Sequence, residues 1–192
     1  ETVVMEEFTA QDFAVIDEEE WPQAVRLAEI LRDLYNPSSV SDMGCATGLY
    51  LKPFEDVRRF VIGYELSPDG KANAVINPES IITCDVTQPM KISKTDLAIC
   101  LEVLEHIPEE GAPAAIANLC KMSDRIVFSA ARPGQGGHGH INCREKWYWE
   151  DLFEENGFVR NYGHERIIVS FMMNGYHLGW LTQNVMVFQP EA

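Results

Sequence analysis

The chain has 192 residues, 46% of them hydrophobic and 23% charged, which suits one soluble globular domain able to bury its own core. Its net charge of -15 disfavours non-specific binding to phosphate backbones, and no apolar run approaches the roughly 20 residues needed to cross a bilayer. Residues 1–20 hold eight acids and no Lys or Arg. They read as a solvated acidic arm on a single domain spanning 1–192, not as a signal or basic transit peptide. The five cysteines (Cys45, Cys84, Cys100, Cys120 and Cys143) are odd in number and lack a Cys-x-x-Cys pair, the usage expected of reduced thiols in a cytoplasmic protein.

From Trp21 to Tyr35 the apolar positions Val25, Ala28, Leu31 and Leu34 or Tyr35 follow helical spacing. Pro22 suits a first turn, and Asn36-Pro37 stops the helix. Five strand-length apolar runs come next, at Val40–Cys45, Arg59–Leu66, Ser80–Val86, Asp96–Val103 and Arg125–Ala131. Strands alternating with helix-compatible segments predict an α/β fold around a mostly parallel sheet. Residues 132–143 form a glycine-rich loop. Arg144–Asn156 reads as a helix whose apolar side is Trp147, Tyr148, Leu152 and Phe153, with Gly157 as its stop. Val159–Val169 and Leu181–Gln189 are expected to supply two last strands, antiparallel at the edge. The stretch Ser170–Trp180, with Phe171, Met172, Met173, Tyr176 and Trp180, suits a lid, core or homodimer surface equally.

The most informative segment is Val40-Ser-Asp-Met-Gly-Cys-Ala-Thr-Gly48. A strand ends in Asp42, and a Gly-x-x-x-Gly turn is expected to lead into a helix that presents its free N–H groups to a ligand. Glu65 ends the following strand, where an acid can accept hydrogen bonds from both ribose hydroxyls of a nucleoside. Asp85 sits at the third strand end, placed to accept from an adenine amino group. Three carboxylates at successive strand ends fall on the ligand-binding edge of a parallel sheet.

These motifs resemble those of the class I S-adenosyl-L-methionine (SAM)-dependent methyltransferases, from about Val40 to Phe158. Asp42-Met-Gly-Cys-Ala-Thr-Gly48 is similar to the family's glycine-rich first motif, Glu65 to its ribose-binding acid, and Cys84-Asp85-Val86 to its adenine-contacting segment. Leu101-Glu-Val-Leu-Glu-His-Ile-Pro108 resembles the fourth-strand motif of its small-molecule O- and C-methylating members. The resemblance implies a doubly wound, Rossmann-like seven-stranded sheet in the order 3-2-1-4-5-7-6, with strand 7 antiparallel. It implies SAM as cofactor and S-adenosyl-L-homocysteine as product. It assigns cofactor binding to Asp42, Gly44, Cys45, Ala46, Gly48, Glu65, Leu66, Asp85, Val86, Leu101 and Glu102. Dinucleotide-binding proteins want Gly-x-Gly-x-x-Gly, which this turn lacks.

Methyl transfer needs alignment and, for a protic acceptor, a base. His106, after the fourth strand, and His138 and His140, after the fifth, are the candidate catalytic residues. Glu102, Glu105, His106 and His140 also resemble the Mg or Mn site of the small-RNA 3′-end 2′-O-methyltransferases, with Glu102 and His106 spaced as on one helical face. The chain departs from those enzymes in its acidity, and no metal is expected. A small-molecule acceptor methylated at oxygen is therefore the leading reading, with nucleic acid and membrane set aside. The alternatives are a metal-assisted RNA 2′-O-methyltransferase and a non-catalytic SAM-binding protein.

Overall fold

A computed structural model describes residues 8–174 and 179–191. The chain opens on α1 (Ala10–Tyr35), 26 residues long. Residues 10–20 are therefore three turns of helix, with Phe13 buried and Ile16, Asp17 and Glu20 partly covered while the other side chains face solvent. Thr9 and Asp12 form a reciprocal capping box, in which Asp12 Oδ2 accepts from the Thr9 backbone N–H at 2.8 Å. Ala24, Leu27, Ala28 and Leu31 bury the core stripe, whereas Val25 is only partly covered. Pro22 lies mid-helix rather than in the first turn, and the helix ends at Asn36, whose left-handed backbone (φ 45°) caps it.

The parallel units follow: β1 (Ser39–Met43), α2 (Lys52–Glu55), β2 (Phe60–Glu65), α3 (Pro68–Ala72), β3 (Ile81–Thr83), β4 (Leu97–Leu101), α4 (Ala112–Met122) and β5 (Ile126–Ser129). The chain then forms α5 (Lys146–Glu154), β6 (Phe158–Arg160), α6 (Tyr162–Met173), α7 (Gly179–Asn184) and β7 (Met186–Pro190). The seven strands are ordered 3-2-1-4-5-7-6, with β7 antiparallel to both neighbours. The sheet order and the antiparallel seventh strand are as the resemblance implies.

Both faces of the sheet are apolar, as helical layers on both sides require. Ala98, Cys100, Ile126 and Phe128 face a core shared with α4 and α5. Leu97, Ile99, Val127 and Val187 face one shared with α1 and α6. On α5 the buried residues are Trp149, Leu152 and Phe153, while Trp147 is exposed, which corrects the expected apolar side. Gly157 stops that segment with φ 77°, as expected.

Two further expectations change. The run Val159–Val169 is a strand only to Arg160. There Asn161 accepts from the His164 N–H and starts α6, and Ile168 and Met172, one turn apart, pack into the α1 side. Packing against α1 overrides the strand preference of Ile167-Ile168-Val169. Likewise Leu181–Gln189 begins as α7 and becomes strand only at Met186. In the aromatic stretch, Met172 is buried whereas Phe171 and Met173 are exposed; Tyr176 lies outside the described residues.

The two tryptophans of α5 offer a direct test. Trp149→Ala removes a fully buried ring against Phe128 and is expected to cost about 3–5 kcal/mol in urea unfolding. Trp147→Ala removes a ring 64% exposed and should change stability by no more than about 0.5 kcal/mol. Equal effects would contradict the facing of this helix.

Candidate active site

Because β1 to β5 are parallel, their C-terminal ends share one edge, where open α/β sheets bind ligands. Asp42 sits in β1 with 4% of its surface exposed. Burial first, and then the Glu65 carboxylate, push its carboxyl well above the usual range; among the described residues none hydrogen-bonds it. The turn beyond it needs its glycines: Gly44 has φ 74°, and a Cβ there would lie 2.5 Å from Val103. Gly48 has φ 85°, and a Cβ there would meet Ile76 at 2.7 Å. The expected helix does not follow directly. Residues 45–51 continue as turns, and α2 is a single turn from Lys52 to Glu55. The backbone groups around this turn are thus loop groups, not a helix N-terminus.

Glu65 ties this loop to the end of β2. Its Oε2 accepts from Ala46 N–H and its Oε1 from Ser67 N–H, both at 2.7 Å. Each oxygen keeps a lone pair, so the carboxylate can still take two hydroxyl donors. Cys45 is buried, its thiol pushed up by burial and by Asp42 and Glu65. Leu66 is 54% exposed beside the same edge. Asp85 lies past the end of β3; its Oδ1 accepts from Thr87 N–H and Oγ1, which leaves Oδ2 without a partner among the described residues. Val86 is buried, and its carbonyl accepts from Asn118.

Helix α1 adds residues that reading the strand ends does not find. Thr47 Oγ1 donates to Asp17 at 2.8 Å, Tyr50 Oη donates to Glu20 at 2.7 Å, and Gln23 Nε2 donates to Tyr50 Oη at 2.7 Å. The acidic helix is therefore fastened to the glycine-rich loop. Burial raises Glu20 to about 7, with Glu102 and Asp17 adding repulsion. The Thr9-x-x-Asp12 box was the one signal in the sequence that could have placed these acids on a helix.

The candidate catalytic residues follow β4 and β5. Leu101 ends β4, and Glu102 adopts a left-handed backbone at φ 52°. Gln135 Nε2 donates to Glu102 at 2.7 Å and Asn184 Nδ2 at 3.1 Å. A short 3-10 turn, Leu104–His106, replaces the expected helical face, so Glu102 and His106 are not stacked on one helix. Glu105, fully buried, is the hub. Its Oε1 accepts from Ala131 N–H, and its backbone carbonyl accepts from Ile141 and Asn142 N–H at 2.8 and 2.9 Å. Burial, then Glu102, raise its carboxyl.

Glu105, His106 and His140 come together with one ligand atom each inside 4.8 Å. His106 Nδ1 lies 3.2 Å from the Gly139 carbonyl, which can only accept, so Nδ1 carries the proton and Nε2 is bare. Burial and His140 lower its pKa to about 4, which keeps the ring neutral. At Gly137 a Cβ would meet the His140 ring at 2.2 Å, so a larger residue there would displace that ring. His138 is exposed and packs edge-on to Phe8, whose ring also meets His106. A cavity of about 470 Å³ opens beside this loop between Arg132, Gln135, Trp180 and Gln183. A larger one of about 590 Å³ lies at the opposite sheet edge, by Lys94, Asp96 and Arg125, away from all of these groups.

The cofactor half of the site is thus built of carboxylates from α1, β1, β2 and β4, and no Lys or Arg pairs with Asp17, Asp42 or Glu65 among the described residues. Such a set repels phosphates and fits a nucleoside that carries positive charge, as SAM does.

A family profile described as "Methyltransferase domain" matches residues 18–184. The chain belongs to that family. It is a class I SAM-dependent methyltransferase. The magnesium-protoporphyrin O-methyltransferase of Synechocystis sp. is 32% identical over 103 residues, which are 49% of this chain and 44% of that protein. The chain thus spans less than half the length of that relative. Among solved structures, Streptomyces venezuelae DesVI superposes with a TM-score of 0.70 at 14% identity, covering 97% of this methyltransferase and 100% of DesVI. The Synechocystis magnesium protoporphyrin IX methyltransferase with bound SAM superposes at 0.64 and 21% identity, covering 97% and 86%. At these identities the structures show a shared fold.

The position of Glu20 yields a stability prediction. Its folded pKa of about 7 lies above its ordinary 4.5, so its contribution is intact below about 4.5 and is lost as pH rises through about 7. Without cofactor, Glu20→Gln should be more stable than the unaltered chain by about 1–3 kcal/mol at pH 8, and the gap should close near pH 4.5. Urea unfolding at the two pH values measures this; a gap independent of pH would contradict it.

Proposed function

We propose that this methyltransferase methylates an oxygen of a small-molecule acceptor. The observation that carries the reading is the neutral His106 imidazole, whose bare Nε2 is fixed by the Nδ1 bond to Gly139 beside the end of β4. The bare Nε2 can take the proton of a hydroxyl acceptor, its lowered pKa making it a weak base suited to an acidic hydroxyl such as a phenol, whereas a carboxylate acceptor needs no base. The O-methyltransferase name of the Synechocystis relative agrees with acceptance at oxygen. The net charge of -15 favours a small molecule over nucleic acid. No helix among the described residues is long and apolar enough to cross a membrane.

In this reading Glu65 holds the ribose hydroxyls, and Asp85 with Leu66 and Val86 surrounds the adenine. Asp42, Gly44, Cys45, Ala46 and Gly48 shape the floor under the methionyl part, with Leu101 and Glu102 closing it from β4. When bound, SAM supplies a methyl carbon on a sulfonium sulfur, which departs with the C–S electron pair as S-adenosylhomocysteine. The chain's own work is to align the acceptor and to receive its proton among His106, His138 and His140. The glycine-rich 132–143 loop brings the last two into place. Cys143 is not a nucleophile here, because burial raises its thiol.

Calorimetric titration with SAM and S-adenosylhomocysteine tests the donor half. Glu65→Ala is expected to weaken both at least about tenfold, since it removes the ribose acceptor and the brace on Ala46. With a hydroxyl acceptor found by screening, His106→Ala should lower turnover about 100-fold and leave SAM affinity within about twofold. Absence of SAM binding in the unaltered chain would overturn the donor assignment. Unchanged turnover in His106→Ala would overturn the base.

A further inference from the structure

The segment after β5 contains a second arrangement that methyl transfer alone does not require. Three potential ligands, a Glu105 oxygen and a ring nitrogen of His106 and His140, lie within 4.8 Å of one another. They come from two separated chain segments, which the Glu105 backbone carbonyl pins together through Ile141 and Asn142. Glu105 has no exposed surface, and its Oε2 has no hydrogen-bond partner. A buried carboxylate oxygen left bare is costly unless something positive meets it.

The histidine tautomers point the same way. His106 Nδ1 faces the Gly139 carbonyl at 3.2 Å, and His140 Nδ1 faces the Gln135 carbonyl at 3.4 Å. Carbonyls only accept, so His106 carries its proton on Nδ1 and keeps a free lone pair on Nε2; His140 does the same in the tautomer that donates to Gln135, with the Cys143 Sγ also 3.8 Å from its Nδ1. His140 Nε2 stands 3.9 Å from Glu105 Oε1, too far for a hydrogen bond yet close enough to share an ion. Imidazoles fixed by backbone carbonyls at one nitrogen and bare at the other are the form in which histidine binds metal. Glu102 is not one of the three, its oxygens accepting from Gln135 and Asn184, but its carboxylate adjoins Glu105 and raises it.

We propose that Glu105, His106 and His140 bind a first-row divalent cation such as Mn2+ or Zn2+, one carboxylate oxygen and two Nε2 atoms forming three ligands of an open site. Two imidazoles among three ligands select a transition metal over Mg2+ or Ca2+, which prefer oxygen. Ligands at about 2.1 Å from one ion stand closer together than the present spacing, so binding draws the two histidines inward. The remaining positions face solvent or an acceptor oxygen. With the ion bound, His106 Nε2 is a ligand and no longer the base assigned above; an acceptor hydroxyl held on the ion would have its pKa lowered, and His138 would take the proton. That last use rests on the proposed methyl transfer to oxygen; binding of the ion does not.

The test is titration of the chelator-stripped full chain with Mn2+ alone, following free Mn2+ by electron paramagnetic resonance. The comparison is with Glu105→Gln, His140→Ala and, as a control, Asp124→Asn in the exposed Lys94 pair. The unaltered chain and Asp124→Asn are expected to bind about one equivalent that an equal concentration of Mg2+ does not displace. Glu105→Gln and His140→Ala should each weaken it at least about tenfold. The thermal shift produced by SAM is read on the same samples. Its persistence in the two cluster variants shows that they are folded, and its absence in the unaltered chain would count against the donor assignment, not against the ion. Equal Mn2+ binding by all four proteins would assign it to the acidic surface and overturn the site, as would no binding at all. Displacement by equimolar Mg2+ would overturn the nitrogen-ligand selectivity.

Discussion

The segment that follows β4 and β5 depends on the buried Glu105. Its side chain holds Ala131 just beyond β5, and its main-chain carbonyl holds Ile141 and Asn142 at the far end of the glycine-rich loop. The loop between these anchors contains Gly134, Gly136, Gly137 and Gly139, whose entropy on folding would be costly without such ties. A single residue therefore closes the loop at both ends. In doing so it aims the Gly139 carbonyl at His106 and seats His140 against Gly137. The tautomers of both histidines, and with them any proton or ion chemistry, descend from that closure.

Glu65 plays the same part on the donor side, bridging Ala46 and Ser67. The two hubs differ in what they leave available. Glu65 spends one lone pair per oxygen on the backbone and keeps the others on an open edge, a form suited to neutral hydroxyl donors. Glu105 is sealed, and one of its oxygens is bare, a form suited to a positive partner. Between them lie Asp17, Glu20, Asp42 and Glu102. Burial raises Asp42 and Glu20, and repulsion from neighbouring carboxylates adds to it: Glu65 for Asp42, Glu102 and Asp17 for Glu20. A cationic cofactor relieves that repulsion, and its neutralised product relieves less.

The sheet and its ligand-bearing edge were legible because parallel strands buried on both faces leave long apolar runs, each ended by a carboxylate or glycine that turn geometry demands. Asp42, Gly44, Glu65 and Asp85 occur where the sequence puts them, at or just beyond the ends of β1, β2 and β3. What was not legible came from tertiary contacts. The acidic run 10–20 looks solvated by charge alone, yet Phe13 is buried and Asp17 and Glu20 bond to Thr47 and Tyr50. Ile167-Ile168-Val169 carries strand preference but is helix, because Ile168 has a place against α1. Trp147 and Trp149 exchange roles because a two-residue step on a helix turns a side chain well away from its former face. The spacing of Glu102 and His106 suggested a helical pair, but the left-handed backbone at Glu102 breaks that register before it forms.

That last feature bears on how the site is kept open. Ala46 (φ 49°) and Glu102 (φ 52°) are non-glycine residues in the left-handed region, one after β1 and one after β4, the two adjacent central strands. Each such residue costs about 1 kcal/mol or more, and persists only where neighbours over-determine it. At Ala46 the constraint is the bond to Glu65; at Glu102 it is the pair of bonds from its N–H to the Ser129 carbonyl and Oγ. The strain is thus held by hydrogen bonds rooted in neighbouring strands. The opening for donor and acceptor is in this sense a property of the sheet, which a flexible loop alone would not preserve.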